Sequence, residues 1–390
     1  MYRITKLNKI ANVVNDYFPE EQFDLTGAED PHGIIVRSAD MHGYDKGENL
    51  LAVARAGAGT NNIPSEAYAQ EGIVVFNTPG ANANAVKELV LAAILLASRK
   101  IVDGIEWAKT LKGQGDAVGP AVEKGKSKFA GQEIKGKKLG VIGLGAIGAM
   151  VANDALDLGM QVTGYDPYIN VEHAWALSHS IKRETNLEKL VAQSDYITIH
   201  VPLTGATKNL FDKALLHKVK RGAAVINFSR GGLVDSEAMI AALNMGRVGC
   251  YVTDFPDDIL LGEPGVIAIP HLGASTAESE DNCAHMAAAQ LAEYLLNGNI
   301  KNSVNYPEAI LPRTTAHRIT ILHKNITNMV GQMTAVLAEG NHNIADMINK
   351  SRGELAYTII DTDHDVTEEE TARLMAIEGV IRVRSLGRVE

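Results

Sequence analysis

Between residues 139 and 166 the chain runs through an apolar segment (Leu139 to Ile142), then Gly143, Gly145 and Gly148, a helix-compatible stretch, a second apolar segment from Gln161 to Tyr165, and Asp166. No other feature constrains the fold as strongly. Strand, glycine turn, helix, strand and terminal acid in that order describe a βαβ unit. The first glycine permits a tight turn, the second lets backbone approach a pyrophosphate, and the third lets the helix pack against the strand. A helix opening at Ala146 and Ile147 aims its unpaired N–H groups at phosphate oxygens. Asp166 lies eighteen positions beyond Gly148, where a carboxylate accepts hydrogen bonds from both hydroxyls of a ribose and repels a 2′-phosphate. The pattern therefore points to an NAD site in preference to NADP.

The motif starts more than a hundred residues into a chain of 390, so a sizeable segment folds ahead of it, and two or three domains are expected. A formal charge of −10 argues against a nucleic-acid groove or an anionic membrane surface as partner. The only cysteines, Cys250 and Cys283, have no second Cys or His at metal-type spacing, so neither a disulfide scaffold nor a metal site is expected. The N-terminus has no basic start followed by an apolar run, and Leu89 to Ala97 is too short to span a bilayer. A cytoplasmic protein is the expectation.

Before the glycine motif, strands are predicted at Gly33 to Val36, Leu51 to Ala56 and Ile73 to Phe76, with a helix over Ala85 to Ser98. From Gly136 to Pro270 six strands alternate with helices: Leu139–Ile142, Gln161–Tyr165, Tyr196–His200, Ala224–Phe228, Gly249–Thr253 and Val266–Ile269. That alternation predicts a doubly wound parallel sheet. Lys109 to Lys128, polar and rich in Gly and Lys, reads as an exposed loop. A helix over 277–297 is followed by an extended return at Asn302 to Pro307. From His317 onward the order is strand, helix, strand, strand, helix, strand, the ferredoxin-like βαββαβ arrangement. Such a module serves either assembly or effector binding.

Three polar features follow the cofactor motif at ends of predicted strands, where ligands of open α/β sheets collect. They are Arg230, the acidic run Asp254 to Asp258, and His271. Oxidising a carbon that bears a hydroxyl requires an acid/base on its oxygen, and an imidazole with an ordinary pKa of about 6.5 suits that task. A guanidinium fork binds an α-carboxylate. Singly, a His after Pro is a common turn residue and an Arg before Gly-Gly a common cap. Together with an NAD fold they describe a 2-hydroxy-acid dehydrogenase site.

These residues resemble the D-isomer-specific 2-hydroxyacid dehydrogenases. The resemblance spans nearly the whole chain through Ala54 to Asn62, Asn77 to Asn82, the helix bearing Glu88, the Gly143 motif, His200 to Thr204, Asn227 to Asp235, and His271 to Thr276. It implies a Rossmann-type NAD domain (98–284) inserted in a flavodoxin-like substrate domain (1–97 with 285–312), followed by an ACT-like domain (316–390). It further implies that Arg230 binds substrate, that His271 is the acid/base, and that a Glu assists it. At the Glu position this chain has Asp258, with Asp257 the competing candidate. Beyond the glycine motif and Asp166, implied cofactor contacts are His200, Pro202, Thr207, Asn227, Ser229, Gly273 and Ala274, with Asp254 as nicotinamide-amide or loop-anchoring residue and Thr253 as its alternative.

Arg37, Ser38 and Arg55, at ends of neighbouring predicted strands, supply the positive charge that a phosphorylated substrate needs. By resemblance to the phosphoglycerate-oxidising members, with Gly57 and Asn82 also at the substrate, they imply conversion of D-3-phosphoglycerate to 3-phosphohydroxypyruvate, the first step toward L-serine. The alternatives are a reductase for hydroxypyruvate or 2-oxoglutarate, and a non-catalytic NAD(H)-sensing corepressor, against which Arg230 and His271 argue. In the ACT-like segment His323, Asn325 and Asn343 would hold an amino-acid effector such as L-serine at a domain–domain interface. Where relatives have Pro-Gly in its first loop, this chain has Thr327-Asn328, and Asn admits less close ligand approach than Gly. A homodimer or homotetramer is implied.

Overall fold

Short strands that are apolar at almost every position need cover on both faces. In the computed structural model, which describes residues 1–27 and 29–387, the chain divides into two units. One comprises Met1–Asn82 with Ala277–Glu390, the other Ala83–Thr276. The first holds a five-stranded parallel sheet of β1 (Tyr2–Leu7), β2 (Phe23–Asp24), β3 (Gly33–Val36), β4 (Ala52–Arg55) and β5 (Val74–Phe76) in the order β2-β1-β3-β4-β5. This is the flavodoxin-like order. Alternate residues face opposite ways: Ile35, Ala54 and Phe76 join one apolar cluster, and Ile34, Val53 and Val75 join another with Tyr68 of helix α1 (Ser65–Gln70). β1 and β2 were not foreseen, because Tyr2 to Leu7 mixes charged and apolar residues and is buried only at Ile4.

The second unit begins with helix α2 (Ala83–Arg99), whose Val86, Val90, Ala93 and Ile94 pack into the core of that unit. The division therefore falls at 82/83 and 276/277, where the sequence reading set 97/98 and 284/285. Lys109 to Lys128 is not the loop expected. Helix α3 (Ile101–Lys109) is followed by α4 (Val118–Gly125), folded back so that Trp107 meets Phe129 with ring centroids 5.2 Å apart and Gly125 lies under the indole. The Gly and Lys content concealed Val118 and Val122, one helical turn apart.

The NAD-type sheet follows: β6 (Lys138–Ile142), α5 (Ala146–Asp157), β7 (Gln161–Tyr165), α6 (Val171–Ala176), β8 (Lys182–Arg183), α7 (Leu187–Gln193), β9 (Tyr196–Ile199), α8 (Lys213–Lys218), β10 (Ala223–Asn227), α9 (Ser236–Asn244), β11 (Val248–Thr253) and β12 (Val266–Ala268). All strands are parallel in the order β8-β7-β6-β9-β10-β11-β12. Seven strands replace the six expected, the addition being the exposed two-residue β8, too short to leave a pattern. The order reverses between β6 and β9, and ligands of such sheets gather at that switch point.

Helix α10 (Ala277–Asn297) returns to the first unit, burying Leu291 and Leu295 against its sheet. The extended return then lies along β5. The Val304 amide donates to Val75 O, and the Asn305 side chain bonds Val75 N, Ser65 O and Ile73 O.

The C-terminal segment forms β13 (His317–Lys324), α11 (Met329–Glu339), β14 (Ile344–Arg352), β15 (Leu355–Thr362), α12 (Glu368–Met375) and β16 (Val380–Leu386), an antiparallel sheet in the order β14-β15-β13-β16. One face places Ile319, Ile321 and Ile360 under α11 and α12. The other packs within the first unit. Leu322, Tyr357 and Ile359 join its core, Arg384 donates to Leu295 O at 2.7 Å, Arg382 to Leu50 O at 2.7 Å, and Tyr357 Oη to Gly298 O at 2.6 Å. Arg318 and Asp361, both fully buried, form a two-bond ion pair in the same layer.

Candidate active site

The glycine turn is dictated sterically at two positions. Gly143 has φ +86° and a Cβ on it would lie 2.4 Å from His200 O; a Cβ on Gly148 would lie 1.9 Å from Gly143 O. Gly145 is different, with no atom within 4 Å of its Cβ position, so the fold leaves room at the N-terminus of α5 for a ligand. Asp166 bridges the turn, its Oδ2 accepting from the Leu144 amide at 2.8 Å and its Oδ1 from Tyr168 at 2.8 Å. Each oxygen keeps a lone pair for a further donor.

After β9, His200 bonds Thr198 Oγ1 through Nε2 at 2.9 Å, and its Nδ1 is buried without a partner. Burial pushes its pKa down to about 3, so the ring is neutral. Thr207 closes the next loop by donating to Pro202 O at 2.6 Å. After β10, the Asn227 side chain donates to Arg230 O at 2.9 Å and accepts from the Ser229 amide, while Ser229 Oγ donates to Ile199 O at 2.6 Å. These bonds hold the loop and leave the Arg230 side chain exposed, with Nη1 donating to Ser229 O.

Asp254 links the remaining residues. It is 1% exposed, its Oδ2 accepts from the Gly273 amide at 2.9 Å, and Oδ1 has no partner. Burial raises its pKa, opposed by the Gly273 N–H and then by the charges of His271 and Arg230. Arg230, Asp254 and His271 thus share one electrostatic neighbourhood. Thr253 Oγ1 instead accepts from the Phe255 amide at 3.1 Å, a turn bond within the chain. His271 adopts φ +31°, an unfavourable region for a residue with Cβ, and is held there by its amide donating to Asp254 O at 3.0 Å. Its ring is exposed and leans on Phe255, centroids 4.6 Å apart. Ala274 packs against the neighbouring core.

Among the described residues no carboxylate pairs with the His271 ring. Asp257 accepts from Ser236 Oγ at 2.5 Å and from the Leu260 amide at 3.1 Å, so both its oxygens are engaged at the start of α9. Asp258 is exposed. Among the described residues it is Phe255 whose side chain touches the imidazole.

In the first unit, Val36 pairs with Arg55 across β3 and β4, which sets Arg37 and Arg55 at neighbouring strand ends. Both guanidinium groups act on the thiol of Cys283, whose pKa burial raises and whose neighbours Thr78, Arg55 and Arg37 lower. Arg37 also pairs with Glu280 at 2.7 Å. Gly57 has φ +152° and a Cβ there would strike Arg55 Nη1, so glycine makes room for the guanidinium. Ser38 is exposed and its amide donates to Asn8 Oδ1 at 3.2 Å; Asn82 is half-buried. Glu280, Thr78 and Asn8 were not foreseen as partners, each being distant in sequence from the residue it meets, Arg37, Cys283 and Ser38 respectively.

His323 is buried, with Nδ1 against Lys324 O at 2.8 Å and Nε2 against Thr358 Oγ1 at 2.9 Å. Asn325 Nδ2 donates to Gly353 O at 3.1 Å. Asn343 precedes β14 at the end where Ile344 pairs with Thr362, whereas His323 pairs with Ala356. The three lie at opposite ends of one sheet, so a single copy does not gather them.

Residues 91–273 match the D-isomer specific 2-hydroxyacid dehydrogenase NAD-binding domain. The chain is 32% identical over 375 residues to D-3-phosphoglycerate dehydrogenase of Haemophilus influenzae, covering 92% of this chain and 87% of that one. The chain belongs to the D-isomer-specific 2-hydroxyacid dehydrogenases. The Escherichia coli D-3-phosphoglycerate dehydrogenase is 32% identical over 352 residues, covering 87% and 82% of the two chains. The NAD+-bound 3-phosphoglycerate dehydrogenase of Entamoeba histolytica superposes with a TM-score of 0.62 at 27% identity, covering 78% of this dehydrogenase and 98% of that one. The matched domain is an NAD-binding one, and the open Gly145 cradle, neutral His200 and the unpartnered Asp254 Oδ1 fit NAD. Among the described residues no helix is long and apolar enough to cross a membrane.

Proposed function

We propose that this dehydrogenase oxidises D-3-phosphoglycerate to 3-phosphohydroxypyruvate, the first step toward L-serine. The observation that carries the substrate choice is the pair of guanidinium groups, Arg37 and Arg55, at adjacent strand ends and both acting electrostatically on the Cys283 thiol. Two such groups match a phosphate dianion, and a charge-assisted hydrogen bond contributes about 1.5–3 kcal/mol. Ser38, Gly57 and Asn82 complete that end of the substrate.

Bound NAD supplies the two-electron acceptor for the hydride leaving C2. His271 takes the proton of the C2 hydroxyl as the carbon–oxygen bond becomes a carbonyl. Arg230 holds the carboxylate and polarises that oxygen. Asp258 supports the imidazolium once its loop moves in, because the carboxylate of Asp257 is already bound to Ser236 and Leu260. Asp254 anchors the His271 loop and offers Oδ1 to the carboxamide of the cofactor.

The ion pair of Arg37 with Glu280 favours a second reading, reduction of an unphosphorylated 2-oxo acid such as hydroxypyruvate or 2-oxoglutarate. Arg37→Ala and Arg55→Ala separate the two: each raises KM for D-3-phosphoglycerate at least tenfold on the first reading and leaves it unchanged on the second. The C-terminal sheet suits a homodimer or homotetramer in the cytoplasm, and an effector such as L-serine held by His323 and Asn325 of one copy and Asn343 of another.

A further inference from the structure

His342 is buried in the turn that follows α11, with a side chain 1% exposed. Its Nε2 donates to Glu370 Oε2 at 3.1 Å, and its Nδ1 has no partner. Glu370 Oε2 also accepts from the amide of Thr367 at 2.7 Å and from its hydroxyl at 2.8 Å, which fixes the carboxylate against the imidazole. With Nε2 turned to the carboxylate, Nδ1 is the nitrogen left to meet a ligand. The structure thus buries a ring nitrogen that no described residue satisfies. Gly340 makes the arrangement possible, since a Cβ there would lie 1.9 Å from Glu370 Oε1.

Beside this imidazole stand two further donor groups. Asp363 and His364 follow β15, and with His342 each contributes a ligand atom within 4.8 Å of the others. The rings of His342 and His364 stack 4.0 Å apart, and Asp363 Oδ1 accepts from the Asn343 amide at 3.0 Å and contacts His364 Nδ1 at 2.8 Å. A histidine whose far nitrogen is fixed by a carboxylate is the outer-shell arrangement that orients imidazole for a metal.

We propose that His342, Asp363 and His364 bind a divalent transition-metal ion such as Zn2+, with Glu370 as positioning residue and water as fourth ligand. Two imidazoles and one carboxylate suit zinc, cobalt or nickel. The edge of a tetrahedron with 2.0–2.1 Å bonds is about 3.3 Å, so the ligands draw together on binding. His364, half exposed, turns its ring to present an in-plane lone pair. The ion ties the α11–β14 turn to the β15–α12 loop. Spacing did not reveal this site because residues 342 and 364 meet only through the pairing of β14 with β15.

The test is titration of the full, untagged, chelator-treated chain with Zn2+ by calorimetry and Co2+ by visible absorption. The expected result is one ion per chain with the intense bands of four-coordinate cobalt. His364→Ala and Asp363→Asn, both at exposed positions, each weaken binding at least about tenfold with unchanged metal-free melting, and Glu370→Gln weakens it by about 10–100-fold with all three ligands present. Absence of a stoichiometric site, or binding unmoved by both ligand variants, overturns the proposal.

Discussion

The amide of Gly273 donates to Oδ2 of Asp254 at 2.9 Å, and the second oxygen of that carboxylate is buried without a partner. This contact fastens the His271 loop to the end of β11 and leaves a buried carboxyl oxygen without a partner, which is costly. Asp254→Ala leaves the Gly273 N–H unpaired, a loss of about 1–3 kcal/mol, and lowers kcat/KM at least about tenfold on the same scale. Chemical denaturation and steady-state kinetics on one preparation measure both.

Asp254 also carries a pH signature. Burial raises its folded-state pKa above the unfolded value, so the folded chain binds the proton more tightly and this group's contribution to stability is lost as pH rises through the folded pKa. Asp254→Asn cannot ionise. Its melting temperature at neutral pH is expected to equal or exceed that of the parent, the gap closing as pH falls into the ordinary carboxylate range, while activity drops. A variant less stable than the parent at neutral pH contradicts this.

Gly148→Ala places a methyl 1.9 Å from the Gly143 carbonyl. The turn must open, so NADH binding by fluorescence titration weakens at least about tenfold, corresponding to 1.4 kcal/mol, and the melting temperature falls. Gly145→Ala, with open space at its Cβ, lowers NADH affinity while keeping the melting temperature. The contrast between the two separates a glycine required by the fold from one that leaves room for the cofactor.

His271→Gln is expected to reduce kcat by about 10²–10⁴ with NADH affinity unchanged, because the ring is exposed and bonds no other residue among those described. Arg230→Lys keeps the charge and loses the fork, so KM for the hydroxy acid rises and the turnover falls. Equal loss of NADH binding in either variant contradicts these roles.

In the C-terminal sheet, Thr367 and Glu370 cap α12 reciprocally. Glu370 has its pKa lowered from 4.5 to about 2, so its contribution to stability is present above 4.5 and is lost as pH falls toward 2. Glu370→Gln flattens the acid limb of melting temperature over that window. Thr367→Ala costs about 1 kcal/mol at neutral pH.

Much of this architecture was legible in the residues. Gly143, Gly148 and Asp166 are confined by backbone sterics and local hydrogen bonds, which leave a sequence signature, and the βαββαβ order of the C-terminal segment follows from alternating patterns. What escaped depends on long-range contact. β1 carries too many charged residues to read as a strand, α4 hides in a Gly- and Lys-rich stretch, and Glu280 meets Arg37 only after helix α10 returns to the first unit. The pairing of Asp257 with Ser236 likewise decides between two adjacent acids in a way that counting positions could not.

Comparing kcat/KM for NADH formation from D-3-phosphoglycerate and from D-glycerate tests the substrate assignment most directly. The two acids differ only in the phosphate. If Arg37 and Arg55 bind that group, the phosphorylated acid is preferred by at least about 100-fold, equivalent to about 2.7 kcal/mol, a little under two charge-assisted hydrogen bonds. Equal rates for the two acids contradict it and assign the arginines to structure.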